Sequence, residues 1–327
     1  MRHDCARMRA LIWIMTIGVC FVSGGATCAR REVAVALPPP PPALAETPGL
    51  SEVAAAVNRT SAIRELSTNT ATVDVLSMPA LPKLSATIAM KKERDFRLQA
   101  KLPIVMGSGL DMGSNDTLFW FEVPDGVGMS RTLYYARHDQ YRQQLERAVL
   151  PVDPTWVTDA LGLVQIDPAQ VVAGPVLRPD GKLEIRSTLQ LPAGIFQRVC
   201  YVDAEFGHVT DQFMFSPSGV RIAESHASNL KFYVDQQCSL PHTVQFSLTP
   251  SSGEPLSMEI EIGNYAVNQI LSGDPNLFLV PQGATNAVDL TTVAPLATVA
   301  PTQYQVPAVS QYQSSELGPM PYRGLVR

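Results

Sequence analysis

Leu183-Glu184-Ile185-Arg186-Ser187-Thr188-Leu189-Gln190-Leu191 decides how this chain folds. Nearly every second residue is apolar, and the residues between are polar. That period of two describes a strand with one dry face and one wet face. Working outward, the alternating tract runs from about Arg178 to Gln269. It is punctuated by Pro179-Asp180-Gly181, by Asp203 to Gly207 and by Ser216-Pro217-Ser218-Gly219. Short glycine-containing connections between alternating segments indicate sequential antiparallel hairpins, because glycine supplies the positive φ of tight turns. The chain is therefore read as a large one-sided antiparallel sheet whose dry face must be covered.

The 327 residues are 46% hydrophobic and 17% charged, enough to bury a sizeable core. Five cysteines are too few for a dense disulfide scaffold. The formal charge of -5 becomes -7 once residues 1–27 are removed with three arginines and one aspartate. A mildly acidic chain without a lysine or arginine cluster argues against nucleic acid as a partner.

Arg2, Arg7 and Arg9 precede the apolar stretch Ala10–Val22, and Ser23-Gly24-Gly25-Ala26-Thr27-Cys28 follows with small residues. This is the layout of a secretory signal over 1–27, and the run is short for a transmembrane span. Cleavage near Ala26 and lipidation of Cys28 both remain open. Gly25 and Thr27 stand where a lipidation signal normally has a larger aliphatic and a Gly or Ala. Residues 28–49, with five consecutive prolines at 38–42, suit a stiff extended tether.

From Ser51, a candidate N-cap, Val53, Ala56, Val57, Thr60 and Ile63 form one helical stripe. Strand patterns follow at 72–75, 84–90 and 96–100, with a glycine-rich loop expected at 108–114. Thr117–Val123 is apolar on both faces, and 132–137 makes its partner. Two short amphipathic helices come next. One carries Tyr141, Leu145 and Val149, and the other begins at Asp153-Pro154, carries Trp156 and Leu161, and stops at Gly162. With the helix at Ser51 they are natural lids for the dry face. The folded domain is expected over 50–275, with a disordered Pro/Thr/Gln-rich tail over 276–327.

Catalytic signatures are absent from the sequence. No histidine pair has helical metal-ligand spacing, and there is no Cys-x-x-Cys, Gly-x-Ser-x-Gly elbow, phosphate loop or dinucleotide fingerprint. No cofactor and no metal are expected. Cys200 and Cys238 lie in or beside expected strands and are a possible disulfide in an oxidising compartment. Phe119, Phe121, Tyr135, Trp156, Leu161, Phe213, Phe215 and Phe232 are either ordinary core or the wall of a cavity that accepts apolar ligands.

The order of these elements resembles the LolA/LolB/LppX superfamily of envelope lipoproteins and lipoprotein carriers. The resemblance rests on the possible acylated Cys28, the Pro-rich spacer and the helix Leu50–Asn58. It rests further on Leu84–Met90, Phe96-Arg97-Leu98, Leu118-Phe119-Trp120, and the hairpins at 201–209 and 215–219. Segments at 111–116, 134–139 and 160–163 resemble uncharacterised lipoproteins near that group. The likeness covers residues 50–270 and implies an α+β fold, a half-open β-barrel with a few covering helices. It also implies an envelope protein, periplasmic or anchored in the outer membrane, that shelters a lipid or acylated lipoprotein without catalysis. The alternatives are a scaffolding envelope protein with a filled core and an unrecognised hydrolase.

Overall fold

The computed structural model describes residues 39–91, 94–101, 108–124, 130–143, 145, 155–250 and 255–292. The export signal, Cys28 and the tail beyond Thr292 lie outside the described residues. So do Val149 and the Asp153-Pro154 helix start.

Helix α1 (Leu50–Val57) is capped by the backbone of Gly49, not by the Ser51 side chain. Its stripe of Val53, Ala54, Ala56 and Val57 is buried. A 3₁₀ turn (Asn58–Ala62) ends it. The strands of the first half are β1 (Glu65–Asp74), β2 (Leu84–Lys91), β3 (Asp95–Lys101), β4 (Ser108–Ser114), β5 (Leu118–Pro124) and β6 (Arg131–Arg137). Two short helical pieces follow: α2 (His138–Gln143), and α3 (Thr155–Thr158), which runs on as a wider turn through Asp159–Leu163. Then come β7 (Val171–Leu177), β8 (Lys182–Leu191), β9 (Gly194–Asp203), β10 (Val209–Phe215), β11 (Arg221–Tyr233), β12 (Cys238–Leu248), β13 (Leu256–Ile262), β14 (Ala266–Val267) and β15 (Asn286–Asp289).

All fifteen strands belong to one open, unclosed sheet in the order β15-β6-β5-β4-β3-β2-β1-β13-β12-β11-β10-β9-β8-β7, with β14 pairing beside β1. Neighbours are antiparallel, save that β15 runs parallel to β6. The expected hairpin tract is β8 to β13, joined in sequence order. The alternation that revealed it is the inner face: Leu183, Ile185 and Leu189 stand opposite Val202, Cys200 and Phe196.

Three expectations are corrected. Ser108–Ser114 is strand β4 rather than loop, because Gly113 makes room for the Trp120 ring lying directly over it across the β4–β5 pair. A Cβ on residue 113 would overlap that ring. The tether is docked from its second half onward: the amides of Ala43 and Leu44 donate to the Glu205 carbonyl at 2.8 and 3.2 Å. Leu44 packs against the smaller apolar cluster, which proline stiffness alone did not foretell. The domain also does not stop at 275. β15 covers the free edge of β6, and Leu290 is buried.

That C-terminal segment crosses the outer face over a polar knot. Arg97 makes a bidentate pair with Asp111 (2.9 and 2.6 Å) and donates to the carbonyls of Leu277 and Leu279 at 2.8 and 3.0 Å. Its guanidinium lies over the Trp120 ring. Asn115 donates to the Phe278 carbonyl at 3.2 Å.

Candidate functional site

The dry face is lined almost entirely by aliphatic side chains. Leu66, Val73, Ile88, Leu98, Val244, Phe246 and Ile260, drawn from both halves of the sheet, join one buried cluster with Phe119 and Phe196. Such a wall would leave a trough, but the helical insert fills it. Tyr141 from the first helical piece, Leu145 beyond its end, and Trp156, Val157, Ala160 and Leu161 from the second piece belong to the same cluster. Tyr141 sits edge-on to Phe119 with ring centroids 4.8 Å apart. The α1 helix closes a second, smaller cluster with Leu183, Ile185, Cys200 and Val202. Asn58 pins it by donating to the Ile166 carbonyl (2.9 Å) and accepting from its amide (2.8 Å).

The plug is held to the wall by polar contacts as well as apolar ones. Arg198, 8% exposed on the inner face of β9, donates to Asp159 at 3.0 Å and to Gln212 at 2.5 Å. Gln212 in turn donates to the Asp159 carbonyl at 3.1 Å. The join is imperfect: the indole N–H of Trp156 and the Nε of Arg198 are buried with no hydrogen-bond partner among the described residues. Each such donor costs about 1–3 kcal/mol in lost hydration. A buried arginine in an aliphatic alternation carried no sequence signal, so the Arg198–Asp159–Gln212 contact was not anticipated.

The sheet register sorts the expected site residues. Phe119, Trp156 and Leu161 are buried within the filled trough. Phe121 is on the inner face, half-buried and stacked on Tyr134 at 4.8 Å. Tyr135, Phe213 and Phe215 are not on the inner face. Tyr135 pairs with Trp120 on the outer side of β6 and β5. Phe213 packs against Tyr201 at 5.2 Å with Arg221 over its ring, and Phe215 shares its parity. The period of two separates Phe213 and Phe215 from Gln212 and Met214, which face inward. Phe232 belongs to neither cluster. It lines a cavity of about 30 Å³ with Pro40, Pro41, Val57, Gly162, His208 and Cys238. That is room for a water or two, not for an acyl chain.

Cys200 and Cys238 are free, buried thiols rather than a disulfide. They belong to different apolar clusters, Cys200 beneath α1 and Cys238 with the main core. Burial raises the pKa of both, that of Cys238 to about 11.

Toward one end of the strands the inner wall emerges from cover. Leu110, Met112, Phe121 and Tyr134 on one side, with Leu189, Leu191, Met214 and Leu256 on the other, are only partly buried against the main cluster. Among the described residues no cluster of three metal-ligating side chains exists, and no helix is long and apolar enough to cross a membrane.

An unclosed antiparallel sheet with its apolar trough filled by a short helical plug is the class that fold and site define. It is the α+β architecture expected from the sequence, a large unclosed antiparallel sheet with a few covering helices. Solved structures similar to the chain include a domain assigned to outer-membrane lipoprotein sorting from Vibrio parahaemolyticus, 8% identical, covering 68% of this chain and 95% of that one at a TM-score of 0.45. A LolA superfamily protein from Nitrosomonas europaea is 10% identical over 66% and 93%, at 0.36. A DUF1329 family protein from Desulfovibrio piger is 9% identical over 68% and 92%, at 0.41. No protein-family model and no curated protein sequence matches the chain.

Proposed function

We propose that this is an exported, non-catalytic envelope protein that binds an acyl-bearing ligand, a lipid or an acylated lipoprotein, on the inner face of its sheet. Cys28 serves as its lipid anchor. The observation that carries the reading is the join between wall and plug. The wall is continuous, aliphatic and partly uncovered at one end, and what fills the rest of it is a short helical plug whose seat leaves two buried donors unsatisfied, the Trp156 indole N–H on the plug and the Arg198 Nε on the wall. The structure is the closed form. An acyl chain enters at the uncovered end and takes over the wall contacts of Trp156 and Leu161 as the plug withdraws. Each methylene transferred from water contributes about 0.8 kcal/mol, so one chain can offset the loss of the plug contacts.

The test is lipid extraction and mass spectrometry of the purified chain, together with titration of a fluorescent fatty acid. Saturable uptake that falls about tenfold in Met112→Glu/Leu191→Glu is expected. A lipid-free protein that ignores the probe would sink the reading.

A second reading, a scaffolding envelope protein with a filled core, is favoured by one observation: Trp156, Ala160 and Leu161 are packed into the main core at 3% exposure or less. It expects no uptake at all.

A further inference from the structure

The two ends of the strands are chemically unlike. At one end the described turns are 75–83 between β1 and β2, 192–193 between β8 and β9, and 216–220 between β10 and β11. Lys83 is their only charged residue. At the opposite end the turns carry Asp116, Arg178, Asp180, Glu205 and Asp235. The uncharged end also exposes large apolar side chains at its tips. Leu76 is 46% exposed, Met78 53%, Ile195 56% and Val220 57%. Large apolar side chains are exposed elsewhere too, Val172, Val176 and Leu177 along the edge strand β7 and Val234 in a charged-end turn. The charge-poor end nevertheless gathers the largest share of them in or beside turns that carry a single charge among the described residues, and such a set marks an interaction surface.

We propose that this end docks on the surface of a lipid bilayer. The tips are spread along the run β2-β1-β13-β12-β11-β10-β9-β8 rather than gathered into one flat face. A stable contact with a second copy needs roughly 1,000 Å² or more of complementary surface, which separated tips do not offer. A fluid bilayer accepts separate tips without complementarity, because each side chain sinks independently into the headgroup–acyl boundary. The tips are also stiff. Pro79, Pro82, Pro192 and Pro217 lie in these turns, and the β8–β9 and β10–β11 turns touch. There Gly194, at φ +131°, leaves room for the Pro217 ring, 2.8 Å from where a Cβ would stand. Little conformational entropy is lost on insertion. Of the cations at this end, Lys83 and Arg221 are already paired with Glu261 at 3.1 Å and Glu224 at 2.9 Å, and Lys101 at the end of β3 lies outside the run of strands that carries the tips. Docking is therefore apolar rather than electrostatic, and it stands apart from ligand uptake because it uses outward tips and not the plug.

The experiment is flotation of the full chain carrying Cys28→Ala, which removes the acylation site. The vesicles are phosphatidylcholine alone and phosphatidylcholine doped with phosphatidylglycerol. Co-flotation with both, unchanged by high salt, is expected. It should fall about tenfold or more in Leu76→Ser/Met78→Ser/Ile195→Ser/Val220→Ser, with the melting temperature and fatty-acid uptake unchanged. No flotation, flotation unaffected by the four substitutions, or flotation only on the anionic vesicles and abolished by salt would each overturn the proposal. So would self-association in sedimentation that the same substitutions remove while vesicles stay unbound. Fatty-acid uptake is read separately: flotation without uptake refutes the inner-face reading and leaves the docking end standing.

Discussion

His242 is 1% exposed and held as one neutral tautomer: its Nδ1–H donates to the Ile262 carbonyl at 2.7 Å, and Nε2 accepts from the Tyr233 hydroxyl at 3.0 Å. Burial lowers its pKa and, near the small cavity, that of His208. A histidine whose folded pKa is depressed leaves the unfolded chain holding more protons below about pH 6.5. Stability is therefore full above that pH and declines as pH falls through the folded values. Melting temperature should drop between pH 7 and 5, and the drop should be shallower in His242→Gln, which keeps a donor but does not titrate. An unchanged slope would remove His242 from the account. The alkaline side has the opposite sign. Burial of the Cys238 thiol raises its pKa from the ordinary thiol range to about 11, so below that range both states keep the proton and stability does not depend on it. Between pH 9 and 11 the unfolded thiol ionises first, and stability falls by up to about 3 kcal/mol. In the native chain at pH 8, Cys200 and Cys238 should resist iodoacetamide, with peptide mapping detecting their alkylation only under conditions that unfold the protein. Rapid native alkylation of either would contradict its burial.

At the scale of elements, the C-terminal strap is part of the fold rather than an appendage. A chain ending after Pro275 loses β15 and the two carbonyl acceptors of Arg97, leaving a buried guanidinium short of partners. It should be markedly less stable than one ending after Thr292 when the two are compared by urea denaturation. Within the knot, Arg97→Met leaves Asp111 buried without its cation, a loss of about 3–5 kcal/mol, while Arg97→Met/Asp111→Leu should regain much of it. Equal destabilisation by the single and double changes would show that the pair itself is not the source. These elements also show what could be read from the chain beforehand. The hairpins β8 to β13 were legible because alternation and glycine turns are local signals. The helix carrying Trp156 and Leu161 was legible because Gly162, at φ +97° with the Pro241 ring 2.5 Å from a would-be Cβ, is a true stop. Strand β4 was hidden, since its glycine answers to Trp120 seven residues away. β15 was hidden too, since four residues inside a proline-rich segment become a strand only when the edge of β6 is presented to them. Tyr135, Phe213 and Phe215 were misplaced because composition suggested a shared wall where parity forbids one.

For the whole molecule the deciding question is whether the trough ever empties. The described part of the plug comprises Tyr141–Gln143, Leu145 and Thr155–Leu163, and in it Trp156, Ala160 and Leu161 are nearly inaccessible. If an acyl chain occupies the inner face at the plug, it must displace them, because Trp156, Val157, Ala160 and Leu161 already pack with the wall in one buried cluster. Occupation and plug withdrawal are then a single event, and the Arg198–Asp159 pair must break with it. Hydrogen exchange should therefore report ligand binding at a distance from the uncovered end. The amides of Val157 to Leu163 should lose protection when fatty acid is added, while those of β1, β12 and β13 keep theirs. Arg198→Leu, which removes the pair, should bring the plug amides part of the way to that state without ligand. A filled-core scaffold has no second arrangement to visit. In that case protection over the plug stays with the surrounding strands in the presence and absence of fatty acid, and the sheet acts only as a platform for its apolar end.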